Sequence, residues 1–473
     1  MNHLQPSNLI EIPEYNDWNK VKKITVSNNI HIDSLEGIVN HTGYKSSSKL
    51  YKLLKIATTN EIELIRNLIK TSTFDNDPDS VDGMSTYELY VESPNIDKHS
   101  INNMKFDNLD SRKKLRKQLR KIMNPIIKNR ITPYVRKLYS KSNNPDRLCT
   151  PHSSFIRRYN KNERLHHATH RDGHAFATVV ISLSDYGKEY KGGLYVASEE
   201  RYKKIVPLNR GDAVVHQFDL LHGVKVHNSG ERWSWIIWYR DSINCKDYSN
   251  EWFRDQAYQG NPLYQGLYAN VVSGDERILW HQKAAEQGYS NSMVKLARAY
   301  LHLLPSNLEF NSKKAEELYK NAIQRTQDPH AQYGLAQMLL SGLIKLENKS
   351  TVEVLREVIL LLEESAKGGH VFAMFNLGIA HLYGYSGVQN IKLAKEWFEI
   401  TNLPEGLIAA SMYYDSIGEM KKVKYFKDRA YKMGYDSIWR KKVRNNVGLG
   451  GAGGVDINLP WPELPKGIKP PLW

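Results

Sequence analysis

The chain has 473 residues, 41% hydrophobic and 25% charged, with a formal charge of +15; that is material for two or three domains with ample core, which excludes a disordered or collagen-like chain, and it favours an anionic partner without specifying a fold. Two cysteines, Cys149 and Cys245, are too few for a disulfide framework or a thiolate metal site and point to a reducing, intracellular compartment, cytoplasmic or nuclear. No apolar run reaches the length of about eighteen residues that a membrane span needs, and the N-terminus lacks the basic-then-apolar pattern of a secretory signal.

Residues 1–50 read as a mixed leader, with strand-like Ile24-Thr25-Val26 between polar stretches. The segment EIELIRNLI, from Glu61 to Ile69, puts Ile62, Ile65, Leu68 and Ile69 on one face and predicts a short amphipathic helix. A polar loop and a strand over Tyr87 to Val91 follow. Residues 110–139 predict a basic helix with Leu115, Leu119 and Ile122 at helical spacing, which Pro125 is expected to break or restart. The run from Arg112 to Lys121 has the charge to meet nucleic acid or an acidic peptide. It has no interleaved aromatics and no nucleic-acid-binding motif, so the preferred reading is a solvated helix face that supports the sheet.

From Ser153 to Tyr239 the period becomes two. Segments such as ATVVISLSD, GGLYV, KKIVPL, AVVHQF, GVKVH and RWSWIIWY are short and rich in β-branched and aromatic residues, with turn chemistry at Gly192-Gly193, Asn209 to Asp212 and Asn228-Ser229-Gly230. This spacing predicts an antiparallel sandwich or barrel. Beyond about residue 250 the chain reads as helical and self-similar: PLYQGL, SMVKLA, AQYGLA, AMFNLG and EGLIAA recur, with small residues such as Ala373 and Gly378 where helices would approach closely. That is the signature of a helix-pair solenoid. The last stretch, from about Gly448, is Gly- and Pro-rich and reads as an extended tail.

The chemistry concentrates in HHATHRDGH, from His166 to His174, and in His222-Gly223-Val224. In His170-Arg171-Asp172 the first and third side chains share one face of an extended segment. A second imidazole from another strand would complete two histidines and a carboxylate on one side of a metal, an arrangement that suits non-haem Fe(II). His-x-Asp alone is weak evidence: His31-Ile32-Asp33 is a decoy, in a region with no strand repertoire around it. Arg232 adds specificity. It follows His222 by ten residues, and a three-residue hairpin loop at Asn228-Ser229-Gly230 would set Arg232 opposite Val226, with the parity of His222. The two side chains would then face one interior roughly 13 Å apart, with room for a short dicarboxylate held by the guanidinium. His216 and His227 are expected to face outward or make structural hydrogen bonds, His166, His167 and His174 to flank the site, and Trp233, Trp235 and Trp238 to be core and wall residues.

The run FIRRYN…HATHRDG…ISLSDY…GGLYV…LNRGDAVVHQFDLLHGVKVHNSGERWSWIIWY, from about Phe155 to Tyr239, resembles the Fe(II)/2-oxoglutarate-dependent oxygenases of the prolyl 4-hydroxylase-like branch. The resemblance implies an α+β chain whose oxygenase domain is a double-stranded β-helix, or jelly roll, with supporting helices. It implies His170, Asp172 and His222 as catalytic iron ligands, Arg232 on the distal carboxylate of 2-oxoglutarate, and Tyr159 as a second cosubstrate contact. Fe(2+), 2-oxoglutarate and O2 would be required, with ascorbate as an accessory. Oxidative decarboxylation to succinate and CO2 would drive hydroxylation, and Asp172 favours this over halogenation. Tyr87 and Tyr90 fall where the family often has a substrate-covering loop. One departure is His-Ala-Thr before His170, where the family often has a hydrophobic-Pro pair.

Residues 365–399, with Asn376-Leu377-Gly378, Tyr383-Gly384 and Trp397-Phe398, resemble the Sel-one-like repeat, a relative of the tetratricopeptide repeat. That resemblance implies an α-helical solenoid with a protein or peptide partner; bracing of the oxygenase or self-association is the alternative. The domains expected are a leader over 1–50, an oxygenase over 51–245, repeats over 246–440 and a tail over 441–473. The expected reaction is hydroxylation of an amino-acid side chain, proline among the candidates, in a protein or peptide. A small molecule or a nucleic acid base as substrate, and a non-catalytic scaffold, are the rival readings.

Overall fold

The computed structural model describes residues 22–26, 30–35, 50–75, 79, 86–93, 109–139, 150–161, 163–173, 175–197, 203–227, 230–240, 251–401 and 403–436. The tail, most of the leader, His174 and the turn residues Asn228 and Ser229 lie outside them. The described residues fall into two compact units, and the second begins its helical run at Glu251. Among them no helix is long and apolar enough to cross a membrane.

The first unit is built on β1 (Lys22–Val26), β2 (Ile30–Leu35), β3 (Leu50–Leu53), β4 (Glu88–Glu92), β5 (Thr150–Tyr159), β6 (His166–His170), β7 (Ala177–Ser182), β8 (Gly192–Ala197), β9 (Lys203–Ile205), β10 (Ala213–Gln217), β11 (His222–Val226) and β12 (Arg232–Arg240). They form an eight-stranded sheet in the order β1-β2-β3-β10-β7-β12-β5-β4 and a four-stranded sheet in the order β6-β11-β8-β9. Every pairing is antiparallel. The sheets pack face to face through Phe155, Val180, Val214 and Ile236 of the large one and Leu194, Val196, Val224 and Val226 of the small one. This is a double-stranded β-helix. The period of two explains its two faces: alternate residues of β12, Trp233, Trp235, Ile237 and Tyr239, enter a different cluster, outside the sandwich.

Helices cover that outer face. α1 (Thr59–Ile69) starts with a capping box between Thr58 and Glu61 and buries Ile62, Ile65 and Ile69 completely. Each such side chain stabilises the fold by about 1.5–3 kcal/mol through burial. α2 (Leu109–Ile126) does not break at Pro125. The helix instead widens into a π turn, Ile127–Ile131, and continues as α3 (Thr132–Tyr139). The wider turn accommodates the backbone bond that proline cannot make. Arg130 in that turn grips both oxygens of Glu61, at 2.8 and 2.9 Å, and so ties it to α1.

The basic run on α2 divides by helical spacing. Arg112 pairs with buried Asp75 at 2.7 Å, and Arg116 and Arg120 donate to the carbonyls of Tyr90 and Val91 on the edge strand β4. Lys113, Lys114, Lys117 and Lys121 are exposed. The solvated face expected from the sequence is therefore the lysine face alone; the arginines satisfy a sheet edge.

The second unit consists of α4 (Glu251–Tyr258), α5 (Pro262–Ala269), α6 (Gly274–Glu286), α7 (Ser290–Tyr300), α8 (Ser312–Thr326), α9 (Pro329–Leu340), α10 (Thr351–Lys367), α11 (Val371–Tyr383), α12 (Ile391–Thr401), α13 (Pro404–Ser416) and α14 (Met420–Lys432). The five self-similar segments fall on every second helix: α5, α7, α9, α11 and α13. Small residues there are a packing requirement. A Cβ on Gly334 would lie 2.4 Å from the Tyr319 ring, and one on Gly378 2.5 Å from the Phe398 ring.

Candidate metal centre

Sheet pairing brings the two candidate imidazoles together. β6 and β11 are neighbours in the small sheet, and His170 and His222 are direct partners across the ladder, with an irregularity between His222 and Val224. Their rings are 4.4 Å apart. Asp172 follows the end of β6 and turns its carboxylate between them: Oδ1 lies 3.3 Å from His170 Nε2, and Oδ2 lies 3.8 Å from His222 Nε2. One ligand atom from each of the three side chains lies within 4.8 Å of the others. Among the described residues this is the one cluster of three such donors.

Hydrogen bonding fixes which ring nitrogen carries the proton. His170 Nδ1 is 2.8 Å from the Ala168 carbonyl, and His222 Nδ1 is 3.0 Å from the Leu220 carbonyl. A carbonyl oxygen only accepts, so each Nδ1 carries the proton and each Nε2 presents a lone pair. Thr178 of β7 donates to Asp172 Oδ2 at 2.6 Å and orients the carboxylate.

Charge follows the same logic. Burial pushes the Asp172 carboxyl up, but the facing imidazoles of His222 and His170 outweigh it and hold it well below the usual carboxylate range. Burial holds His222 well below the ordinary imidazole value, against the pull of Asp172. Burial thus favours the neutral form of His222, the form whose Nε2 lone pair binds a metal. Two nitrogens and one oxygen on one side of a point fit a ferrous ion with open positions opposite.

Arg232 is 1% exposed, and its Nε and Nη2 have no hydrogen-bond partner among the described residues. Its guanidinium carbon lies 5.7 Å from the Tyr159 ring, its cross-strand partner on β5, and 5.9 Å from the Tyr190 ring. Ser234 is next on the same face of β12; it is fully buried and its Oγ is also without a partner among those residues. A buried, unpaired guanidinium beside an unpaired hydroxyl fits an anionic carboxylate, which such a site needs to offset desolvation. Gly193 makes room for it: its φ is +96°, and a Cβ there would lie 2.7 Å from Tyr190 and 3.3 Å from Arg232 Cδ.

Two sequence-based expectations change, and a third is narrowed. β11 and β12 are not a hairpin: β11 pairs with β6 and β8 in the small sheet, and β12 pairs with β5 and β7 in the large one. The chain crosses between sheets after His227, and His222 and Arg232 reach one interior from opposite walls. Of the two roles expected for His216, facing outward or a structural hydrogen bond, the second holds: its Nδ1 is 2.8 Å from the Gln217 carbonyl. It is fully buried on β10 with its ring 4.5 Å from His222, and burial depresses its pKa. His31-Ile32-Asp33 is strand, in β2, two strands from β10 in the large sheet.

His167 is buried and takes a hydrogen bond from Arg157 at 3.0 Å, and Arg157 pairs with Glu88. Trp233 and Trp235 belong to the outer core, whereas Trp238 joins Phe155 and Tyr90 inside the sandwich. Thr178, Ser234 and Tyr190 were missed from the sequence. The available signal was parity: Thr178 and Ser234 are polar residues at inward positions of strands rich in apolar residues.

Four segments match the family model of the Sel1 repeat, residues 278–289, 290–326, 329–350 and 371–400, so the helical unit carries Sel1 repeats. The chain has no significant match among curated protein sequences. Solved structures similar to parts of it include an oxidoreductase of the 2OG-Fe(II) oxygenase family from Burkholderia pseudomallei, at 17% identity over 41% of this chain and 86% of that one, TM-score 0.29. A prolyl hydroxylase from Trichoplax adhaerens, in complex with a hypoxia inducible factor oxygen degradation domain peptide, is similar at 14% identity over 41% and 83%, TM-score 0.25. A Sel1 repeat protein from Oxalobacter formigenes is similar at 20% identity over 44% and 62%, TM-score 0.36, so this chain spans less than two thirds of that protein.

Proposed function

We propose that this chain is an iron- and 2-oxoglutarate-dependent dioxygenase of the prolyl 4-hydroxylase-like kind, which hydroxylates an amino-acid side chain, with proline the favoured candidate, in a protein or peptide. The oxygenase domain would span 51–245 and the repeat domain 246–440. The observation that carries the reading is the pairing of a His-Asp-His donor set with a buried guanidinium that has no partner among the described residues, both inside one sandwich.

His170, Asp172 and His222 would hold the iron, and Arg232 would take the distal carboxylate of 2-oxoglutarate with Tyr159 against it. Bound together with O2, and with ascorbate as accessory reductant, these groups supply the oxidation of a C–H bond to an alcohol while 2-oxoglutarate goes to succinate and CO2. The chain's own part is positional. His170 and His222 present Nε2 because their Nδ1 protons are committed to carbonyls. Thr178 keeps one Asp172 oxygen directed. Arg232 fixes the far end of the cosubstrate, which sets the near end at the metal. Phe155, Leu194, Val196, Val224 and Ile236 exclude water between the sheets.

A protein substrate is favoured because the same chain carries repeats, and such arrays present surfaces to protein partners. The test is mass spectrometry of proteins captured from a lysate by the full-length chain, before and after addition of iron, 2-oxoglutarate and O2. A gain of about 16 Da on a captured peptide, dependent on all three and lost in Asp172→Ala, supports the proposal. Turnover of 2-oxoglutarate with a small molecule and no such gain contradicts the choice of substrate.

A further inference from the structure

The repeat unit contains cations with no counter-charge among the described residues. Lys295 and Arg298 lie about one turn apart on α7, which places them on one face of the helix. Arg298 is 6% exposed, and its Nη2 is buried with no hydrogen-bond partner among the described residues. Arg277 on the neighbouring α6 spends its Nε on the Val272 carbonyl, at 3.0 Å. The carboxylate at the start of α9, Asp328, is already engaged. Its Oδ1 accepts from the backbone N–H groups of His330 and Ala331 at 2.9 and 3.1 Å, and its Oδ2 accepts from Ser290 Oγ at 3.1 Å.

Two histidines extend this polar surface. His330 of α9 and His370, which caps α11, meet edge to face at 4.8 Å, and His370 stacks on Tyr333 at 4.5 Å. His370 Nδ1 accepts from the Ala373 N–H at 3.2 Å, so its proton is on Nε2 and adds a donor. The electrostatics agree. Burial, then the charges of Arg298 and Arg277, push the Lys295 ammonium down to about 8. Burial first, then His330 and Arg298, hold His370 well below the ordinary imidazole value. A buried cation without a counter-ion is costly, and a fold retains one most readily where a ligand supplies the missing charge.

We propose that Lys295 and Arg298 form a binding site for a carboxylate of an acidic peptide segment in a partner protein. A peptide carboxylate fits better than a nucleic acid: Arg298 is buried and Lys295 and Arg277 are half-buried, whereas a phosphate backbone needs an extended exposed row. The guanidinium supplies the planar fork that suits a carboxylate. The site belongs to the repeat unit and is independent of the oxygenase reading.

The test uses the iron-free, full-length chain and a fluorescein-labelled oligoglutamate peptide, followed by anisotropy. Saturable binding is expected, weakening as salt rises. Replacing Lys295→Gln and Arg298→Gln together should weaken it at least about tenfold, a difference of about 1.4 kcal/mol. Arg298→Met alone should leave the thermal midpoint unchanged or raise it, because an unpaired buried charge is removed. The proposal is overturned by absence of saturable binding, by binding that survives the double substitution, or by tighter binding of a single-stranded oligonucleotide. A folded Arg298→Met variant with a lowered midpoint and undiminished peptide binding also overturns it and makes Arg298 a structural residue.

Discussion

His170 and His222 are paired residues of adjacent antiparallel strands, and each donates its Nδ1 proton to the carbonyl two residues before it. The backbone itself thereby sets the tautomer in which each Nε2 carries the lone pair. His222→Ala should therefore lose iron almost completely, as read by metal analysis of protein reconstituted without oxygen, while His31→Ala retains it. Full occupancy in the His222 variant would place the metal elsewhere.

The hydroxyl of Thr178 is 2.6 Å from Asp172 Oδ2. Thr178→Val keeps the shape and removes the donor. Partners of this kind typically contribute 10–100-fold in metal affinity, so iron should bind weaker by roughly that factor. Unaltered affinity would show that the carboxylate needs no such support.

Arg232 has no counter-charge among the described residues, so adding 2-oxoglutarate to the iron-loaded protein should raise its thermal midpoint. Arg232→Ala should abolish that shift and weaken 2-oxoglutarate binding, by calorimetry, by two orders of magnitude or more, about 3 kcal/mol. Equal affinity in the variant would remove Arg232 from the cosubstrate site.

Gly193 holds a left-handed φ beside Tyr190 and the Arg232 side chain. Gly193→Ala should cost about 1–3 kcal/mol of stability from backbone strain alone. It should also weaken 2-oxoglutarate binding by displacing Arg232. Urea midpoints and calorimetry read the two effects separately, and a variant equal to wild type in both would contradict the packing argument.

His281, buried on α6 with Nδ1 3.0 Å from Ser292 Oγ, is held down to about 3 by burial, with Lys295 and Arg277 adding to it. The unfolded chain, with an imidazole near ~6.5, takes up the proton first as pH falls. Its stabilising contribution is thus complete above about pH 6.5 and drains away as pH drops toward about 3, by up to about 1.4 kcal/mol per pH unit. Urea midpoints against pH should slope down on acidification, less steeply in His281→Asn. An equal slope in the variant would refute the assignment.

The sequence made the strand-rich segment, the repeats and the His-x-Asp legible because each is written in local spacing. The five similar segments mark alternate helices because close helix packing admits only small side chains at positions such as Gly334 and Gly378. What stayed illegible is non-local. Asn228-Ser229-Gly230 reads alike whether the chain returns along the same sheet or crosses to the other. Only the pairing of β11 with β8 and of β12 with β5, partners distant in sequence, decides between them. The same holds for His216, whose inward direction follows from the register of β10 on β7, where it sits opposite Thr178. Pro125 misled for the opposite reason: the local rule is sound, and a π turn absorbed the strain.

The most direct measurement is succinate release by purified full-length protein with Fe(II), 2-oxoglutarate and O2. Slow, iron-dependent succinate production is expected even without substrate, absent from His222→Ala and sharply reduced in Arg232→Ala. Protein with full iron occupancy that releases no succinate above the iron-free control would contradict it.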